Sequence, residues 1–380
     1  MTDHLRTRPA TTPSMLAVFD DDATIAHALA FEGALARAQA AEGVISEELA
    51  FAIVDACITA AISSAELAEE SALAGTFAIP LVARLRASLS GEAEKAVHKG
   101  ATSQDVADTV LMIQTRAAAE LVLTDLDRIV DALSRLALRH AETPAVGRTL
   151  LQDALPVAFG LRIAHWMAGI ADAGLRLRGD VAEHARIQLG GAAGARTGLD
   201  GAGMAIASRM AGELGLAASE PWHARRGGIA SIGTSLAIAI GAVGKMARDV
   251  ALLSQNTVAE AREPAITGRG GSSAMAHKRN PTGCQIALSA ALRAPGLAAT
   301  ILAGLPQEEE RGLGGWQAEG PVLADLFLLA AGAAEAMAGV AEGLEIDEDA
   351  IARNLSDARI GMDIGESAAI VRALVARREG

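Results

Sequence analysis

Between Ala101 and Thr143 the chain carries neither Gly nor Pro, and Leu126, Ile129, Val130, Leu133 and Leu136 recur at the spacing of one helix face, with Asp127, Arg128 and Arg135 between them. At about 1.5 Å per residue this pattern predicts a mostly continuous helix on the order of 60 Å long. Similar patterns predict helices over 158–184, 231–263, 282–302 and 322–342, with only short Gly or Pro breaks between them. Asp347 ahead of Ala350 to Leu355 reads as a capped helix, and Glu366 to Arg378 as a last one. No stretch alternates apolar and polar residues well enough to predict a strand. Globular helices average about three turns, so rods of this length predict an all-α, elongated long-helix bundle. The organisation expected is an N-terminal helical domain over 1–99, a central long-helix bundle over 100–343 and a short C-terminal helical segment over 344–380.

Composition adds a complication. Apolar residues make up 51% of the 380, and Gly227 to Gly244 holds no charge, close to the length of a membrane span. The stretch is diluted by Gly, Ser and Thr and runs straight into Lys245, Arg248 and Asp249, so a helix buried in a large bundle is the expectation and a membrane partner is not. Aromatics at 2% imply a core of Ala, Leu, Ile and Val. A net charge of −13 argues against a nucleic-acid partner, which needs a basic face for phosphates. Cys57 and Cys284 give neither a disulfide framework nor a zinc-ligand spacing, and the polar stretch Met1 to Pro13 has no apolar run of a secretory signal. A reducing, cytoplasmic setting is expected.

A bundle of rods leaves its chemistry to the segments between them, and three stand out. His98 to Asp105 opens the long Gly-free helix, with Thr102 or Ser103 at the N-cap, where exposed N–H groups suit either an ordinary cap or a carboxylate site. Gly147 to Pro156 holds Arg148, Thr149 and Gln152 near the expected start of another helix. Arg148 there is either a fork for a carboxylate or a solvated loop arginine. Gly268 to Pro281 combines glycines, Ser272, Ser273, Lys278 and Asn280 ahead of a helix. A phosphate-binding loop would need Gly-Lys followed by Ser or Thr, and here the order is reversed.

Gly271-Ser272-Ser273-Ala274-Met275-Ala276-His277-Lys278-Arg279-Asn280-Pro281 resembles the signature loop of the fumarase, aspartase and adenylosuccinate lyase superfamily, GSSxMPxKxNP. Thr102 to Asp105 and Thr149 to Pro156 fall where that superfamily keeps its other two active-site regions, and Gly190 to Gly194 resembles its Gly-rich bend. Within it, Phe31 to Ala38, His98 to Asp105, Glu220 to His223, and Pro306 to Arg311 with Trp316 and Glu319 resemble the bacterial 3-carboxy-cis,cis-muconate cycloisomerases of aromatic-acid breakdown. The resemblance implies a homotetramer built on a central helical core, with each active site assembled from three subunits. It implies a small anionic di- or tricarboxylate as substrate, and neither metal nor cofactor. By the same resemblance Ser272 is the catalytic proton-transfer group, its alkoxide favoured by Lys278 and loop N–H groups, while His98, Thr102, Ser103, Arg148, Thr149, Gln152, Ser273, Asn280 and Arg311 hold substrate carboxylates.

The departures narrow the reaction. Fumarase and adenylosuccinate lyase keep a histidine after the threonine of the second segment, and this chain has Leu150. A departing amine or hydroxide needs a proton donor, whereas a carboxylate with a pKa near about 4 leaves unaided. Leu150 therefore suits lactonisation, in which one carboxylate adds to a double bond and the carbon beside another is protonated, with Ser272 as general acid. Ala276 in place of the signature proline leaves the loop less restrained, while Glu309 where relatives usually have His, Asp153, and a C-terminal segment shorter than the third domain of most members alter the substrate end. Alternatives are the same chemistry on a 3-sulfomuconate, cleavage of adenylosuccinate or argininosuccinate, and an inactive helical scaffold.

Overall fold

The computed structural model describes residues 5–271, 275 and 278–379. Six helices lead the chain: α1 (Pro13–Val18), α2 (Asp21–Ala41), α3 (Glu47–Thr59), α4 (Ser64–Ala74), α5 (Ala78–Ala87) and α6 (Gly91–Ala96). Thr12, Asp20, Ser46 and Ser63 each accept a hydrogen bond from the backbone N–H three residues on, so α1 to α4 begin where a short polar side chain meets the orphan donors of a first turn. The long rod α7 (Ser103–Arg139) follows, then a hairpin of β1 (Pro144–Thr149) and β2 (Gln152–Ala158), then α8 (Phe159–His184), α9 (Gly203–Leu214) and α10 (Gly227–Leu253). After β3 (Ala261–Arg262) come α11 (Thr282–Ala303), α12 (Gly315–Glu342), β4 (Glu345–Ile346), α13 (Glu348–Ala358) and α14 (Ser367–Glu379). Asp347 caps α13 by accepting from Ala350 N, as its position in the sequence predicts.

Five rods make the bundle, and side-chain pairs fix their directions. Asp127 of α7 meets Arg178 of α8 while Ser134 meets Met167, so these two run antiparallel. Arg226, just ahead of α10, bonds Asp108 near the start of α7 and Glu319 near the start of α12, and Arg128 bonds Glu342 at the far end of α12. Hence α7, α10 and α12 run one way, and α8 and α11 return. The core is almost free of aromatics, as composition requires: it is built from Ala, Leu, Ile and Val, with Phe31, Phe159 and Phe327 fully covered. Small residues let the rods close up. A Cβ on Gly244 of α10 would lie 2.7 Å from Cβ of Ala291 on α11, a distance packed atoms do not adopt.

By length and composition α10, α11 and α12 could each cross a membrane. In the fold their apolar residues pack on one another and on α7 and α8. The cover is uneven: 78% of the most apolar window of α12 is buried, against 28% for α11.

Two expectations are corrected. The pattern predicts no strand, yet 144–158 forms an antiparallel hairpin with Pro144 opposite Ala158 and Thr149 opposite Gln152. Its signal is hidden because the register shifts between Val146 and Arg148, which breaks the alternation, and because the turn is Leu150-Leu151 where such turns ordinarily carry Asn-Gly. The helix expected to reach residue 263 stops at Leu253, where Ser254 caps it. Beyond it β3 pairs with β4, turning the acids Glu260 and Glu263 inward to partners described below.

Candidate active site

The N-terminal end of α7 is organised by a buried carboxylate. Asp105 accepts from Thr102 N (3.0 Å), Gly190 N and Gly191 N (both 2.9 Å) and faces His223 Nε2 at 2.7 Å. Four donors on one carboxylate fasten the Gly-rich bend to the helix start. Gly191 has φ 70°, and a Cβ there would lie 2.8 Å from Gly100 O, so only glycine brings the bend this close. The N–H groups of Ser103 and Gln104 have no partner among the described residues, leaving two orphan donors of the first turn open to a carboxylate. His98, one turn upstream, sits with Nδ1 2.6 Å from Glu32 Oε1.

A second buried cluster supports this end. Arg226 is 2% exposed and forks onto Asp108 (2.7 and 2.8 Å), reaches Glu319 (2.8 and 2.5 Å), and stacks 4.7 Å from the Trp222 ring centroid. One guanidinium thus serves two carboxylates. Burial holds Glu319 above the ordinary carboxylate range despite Arg226, with Asp108 adding to the rise. The cluster joins α7, α10 and the start of α12, and so places the preceding turn. There Arg311 Nη1 donates to Thr102 Oγ1 at 2.5 Å. His98, Thr102, Ser103 and Arg311 therefore share one neighbourhood. Glu309, in the left-handed region at φ 45°, is exposed, and no ion pair ties it to Arg311 among the described residues.

The hairpin stands at the other end of α7, about 55 Å away by the length of the rod. Arg148 is not a free fork: Nη1 and Nη2 donate to Glu260 at 3.0 and 2.7 Å, and Asp153 lies 3.4 Å from Nε. Glu260 is fully buried and also accepts from Asn354 Nδ2 at 2.8 Å. The expectation that Arg148 holds substrate gives way to a pairing inside the chain, because a buried carboxylate claims the nearest guanidinium. Thr149 and Gln152 flank the turn, exposed, rather than opening a helix as the sequence suggested. Leu150 and Leu151 form the tip at φ 51° and 65°, both exposed, a conformation that costs a non-glycine residue roughly 1–2 kcal/mol. Replacing Arg148 with Ala should cost about 3 kcal/mol in urea unfolding, since Glu260 is left buried without its main partner. A purely substrate-binding Arg148 would instead raise KM at unchanged stability.

The glycine loop lies at this same end. Lys278 is exposed and free of side-chain partners among the described residues, Asn280 N and Nδ2 donate to Gly270 O and Gly271 O, and Arg279 pairs with Glu345 at 3.0 Å. Glu263 accepts from Gly283 N and Cys284 N, fixing the start of α11. A cleft of about 330 Å³ is lined by Arg262, Glu263, Arg269, Lys278 and Asn280. Ser272 and Ser273 lie outside the described residues, as do Ala276 and His277. Glu32, Asp108, Arg226, Glu260 and Glu263 received no role from sequence. For Glu32 a signal existed, an acid inside the apolar run Ala28 to Leu35.

Comparison with known proteins follows the same lines. The chain is 46% identical over 358 residues to 3-carboxy-cis,cis-muconate cycloisomerase of Bradyrhizobium diazoefficiens, covering 93% of this chain and 79% of that one. It is 40% identical over 374 residues to nitrosuccinate lyase of Streptomyces davaonensis, covering 95% and 78%. The crystal structure of the 3-carboxy-cis,cis-muconate lactonizing enzyme from Pseudomonas putida superposes with a TM-score of 0.90 at 33% identity, covering 99% of both chains. The family pattern described as lyase matches residues 7–296. With its long-helix bundle, its glycine loop and these relatives, the chain belongs to the lyase family, in the fumarase/aspartase superfamily.

Proposed function

We propose that the protein lactonises 3-carboxy-cis,cis-muconate to 4-carboxymuconolactone. One substrate carboxylate oxygen bonds to an alkene carbon, the π electrons move toward the carbon α to another carboxylate, and Ser272 Oγ–H delivers the proton there. The transient aci-carboxylate carries extra negative charge, for which Lys278, Asn280 and the loop N–H groups are the available donors. The resulting Ser272 alkoxide is reprotonated from solvent. The observation that carries this reading is Leu150, 95% exposed at the hairpin tip. An apolar tip has nothing with which to protonate a departing amine or hydroxide, while a carboxylate oxygen needs no such help. The likeness to named cycloisomerases supports the same choice.

The active form we propose is a cytoplasmic homotetramer with shared sites. Thr102 and Lys278 lie at opposite ends of the rods, the strained Leu150-Leu151 tip stands bare, and α11 leaves Leu292 and Leu302 exposed, all features that a second copy would complete.

Nitrite is also a weakly basic leaving group, so elimination from nitrosuccinate is the second reading, favoured by the 40% relative. Purified protein is tested side by side with 3-carboxymuconate, 3-sulfomuconate and nitrosuccinate. Loss of conjugated-diene absorbance with the carboxy compound is the expected result. Fumarate and nitrite from nitrosuccinate, with both dienes untouched, would overturn it.

A further inference from the structure

His98 stands in the left-handed region at φ 62°, its carbonyl accepting from Ala101 N. Its ring meets Glu32 from the middle of α2, whose surroundings there are Ala28, Phe31 and Leu35. The Glu32 side chain has no exposure to solvent. Its Oε2 has no partner, so His98 is the single hydrogen-bonding group for this carboxylate among the described residues. A carboxylate in such a place needs a cation beside it. The other charged groups acting on the ring are Asp105 of α7 and Arg86 of α5, whose Nη2 donates to Val97 O at 3.0 Å. Burial works against the charged ring. Glu32 and Asp105 outweigh burial and Arg86, and the imidazolium persists above its ordinary range.

The tautomer decides what the ring can do. Nδ1–H is spent on Glu32, so a neutral His98 offers a lone pair at Nε2, which repels a carboxylate. In the imidazolium Nε2 carries a proton and donates. Nε2 has no partner among the described residues, 13% of the side chain remains exposed, and the ring is close enough to the start of α7 to feel the charge of Asp105, which accepts from Thr102 N. We infer that Glu32 is a positioning residue, which orients His98 through Nδ1 and keeps Nε2–H available to a substrate carboxylate at the start of α7. This rests on the anionic substrate proposed above.

Glu32→Gln separates orientation from charge, since its amide oxygen still accepts from Nδ1–H. Histidine Cε1 resonances, with the His98 signal identified by its loss in His98→Asn, should titrate in the wild type above the ordinary histidine midpoint and at a lower midpoint in Glu32→Gln. At a pH between the two His98 midpoints, KM for 3-carboxymuconate should be about tenfold higher in this variant than in the wild type with kcat within about threefold, because binding of a charged group is lost without loss of chemistry. In the wild type KM climbs as pH passes the His98 midpoint, and in Glu32→Gln that climb begins at lower pH. Glu32→Asp, which restores the charge, should recover part of the loss. A wild-type His98 midpoint at or below the ordinary value sinks the idea, as does an unmoved midpoint or KM in Glu32→Gln. If the wild type turns over no muconate, the function reading falls instead. The resonance titration and calorimetric binding of propane-1,2,3-tricarboxylate then still decide the role of Glu32.

Discussion

Arg226→Ala should remove about 3–5 kcal/mol of stability. The guanidinium is the only cation paired with Asp108 and Glu319 among the described residues, both acids are buried, and its loss leaves two carboxylates uncompensated. Arg226→Lys should recover little, because a point charge cannot satisfy the paired oxygens of Asp108 and reach Glu319 as well. Combining Arg226→Ala with Asp108→Asn and Glu319→Gln should return part of the lost energy, since the uncompensated charges go with the arginine. Urea unfolding of the assembled protein measures all of these. A loss below about 1 kcal/mol for Arg226→Ala would mean that the cluster relaxes to admit water.

Ser272→Ala should lower kcat for lactonisation by about 10²–10⁴-fold while KM stays within a few-fold. A proton must reach the carbon α to a carboxylate as the new C–O bond forms, and methyl cannot supply it. The groups at the start of α7 proposed to bind substrate carboxylates are left in place. Following the decay of diene absorbance at saturating substrate gives kcat directly, and sedimentation of the same sample verifies that assembly is unchanged. Retention of more than a tenth of the rate would move the proton donor elsewhere, with Lys278 the next candidate to replace.

The sequence pattern makes the rods readable because long runs repeat one apolar face for many turns, without a glycine in α7 and despite scattered glycines in α8, and both fall within a few residues of expectation. It hides the hairpin, whose register shift spoils the period and whose turn carries leucines. The site segments are legible as motifs, since Ser, Lys, Asn and Gly at fixed offsets have no purpose inside a bundle. Their partners are another matter. Arg148 reads equally well as a free fork or a surface arginine until the chain brings Glu260 to it from 112 residues away. Asp105 and His223 likewise meet across 118 residues, a contact that no local pattern encodes. Glu32 sits between these cases: an acid on an apolar stripe announces a partner without naming it.

The length of α7 carries a kinetic consequence. A rod of about 55 Å keeps the open N–H groups of Ser103 and Gln104 from ever touching Lys278 of their own chain, so with the shared sites proposed above a lone chain forms no complete centre. For such a shared site turnover per chain should fall on dilution and climb again on concentration, which would make specific activity a gauge of assembly.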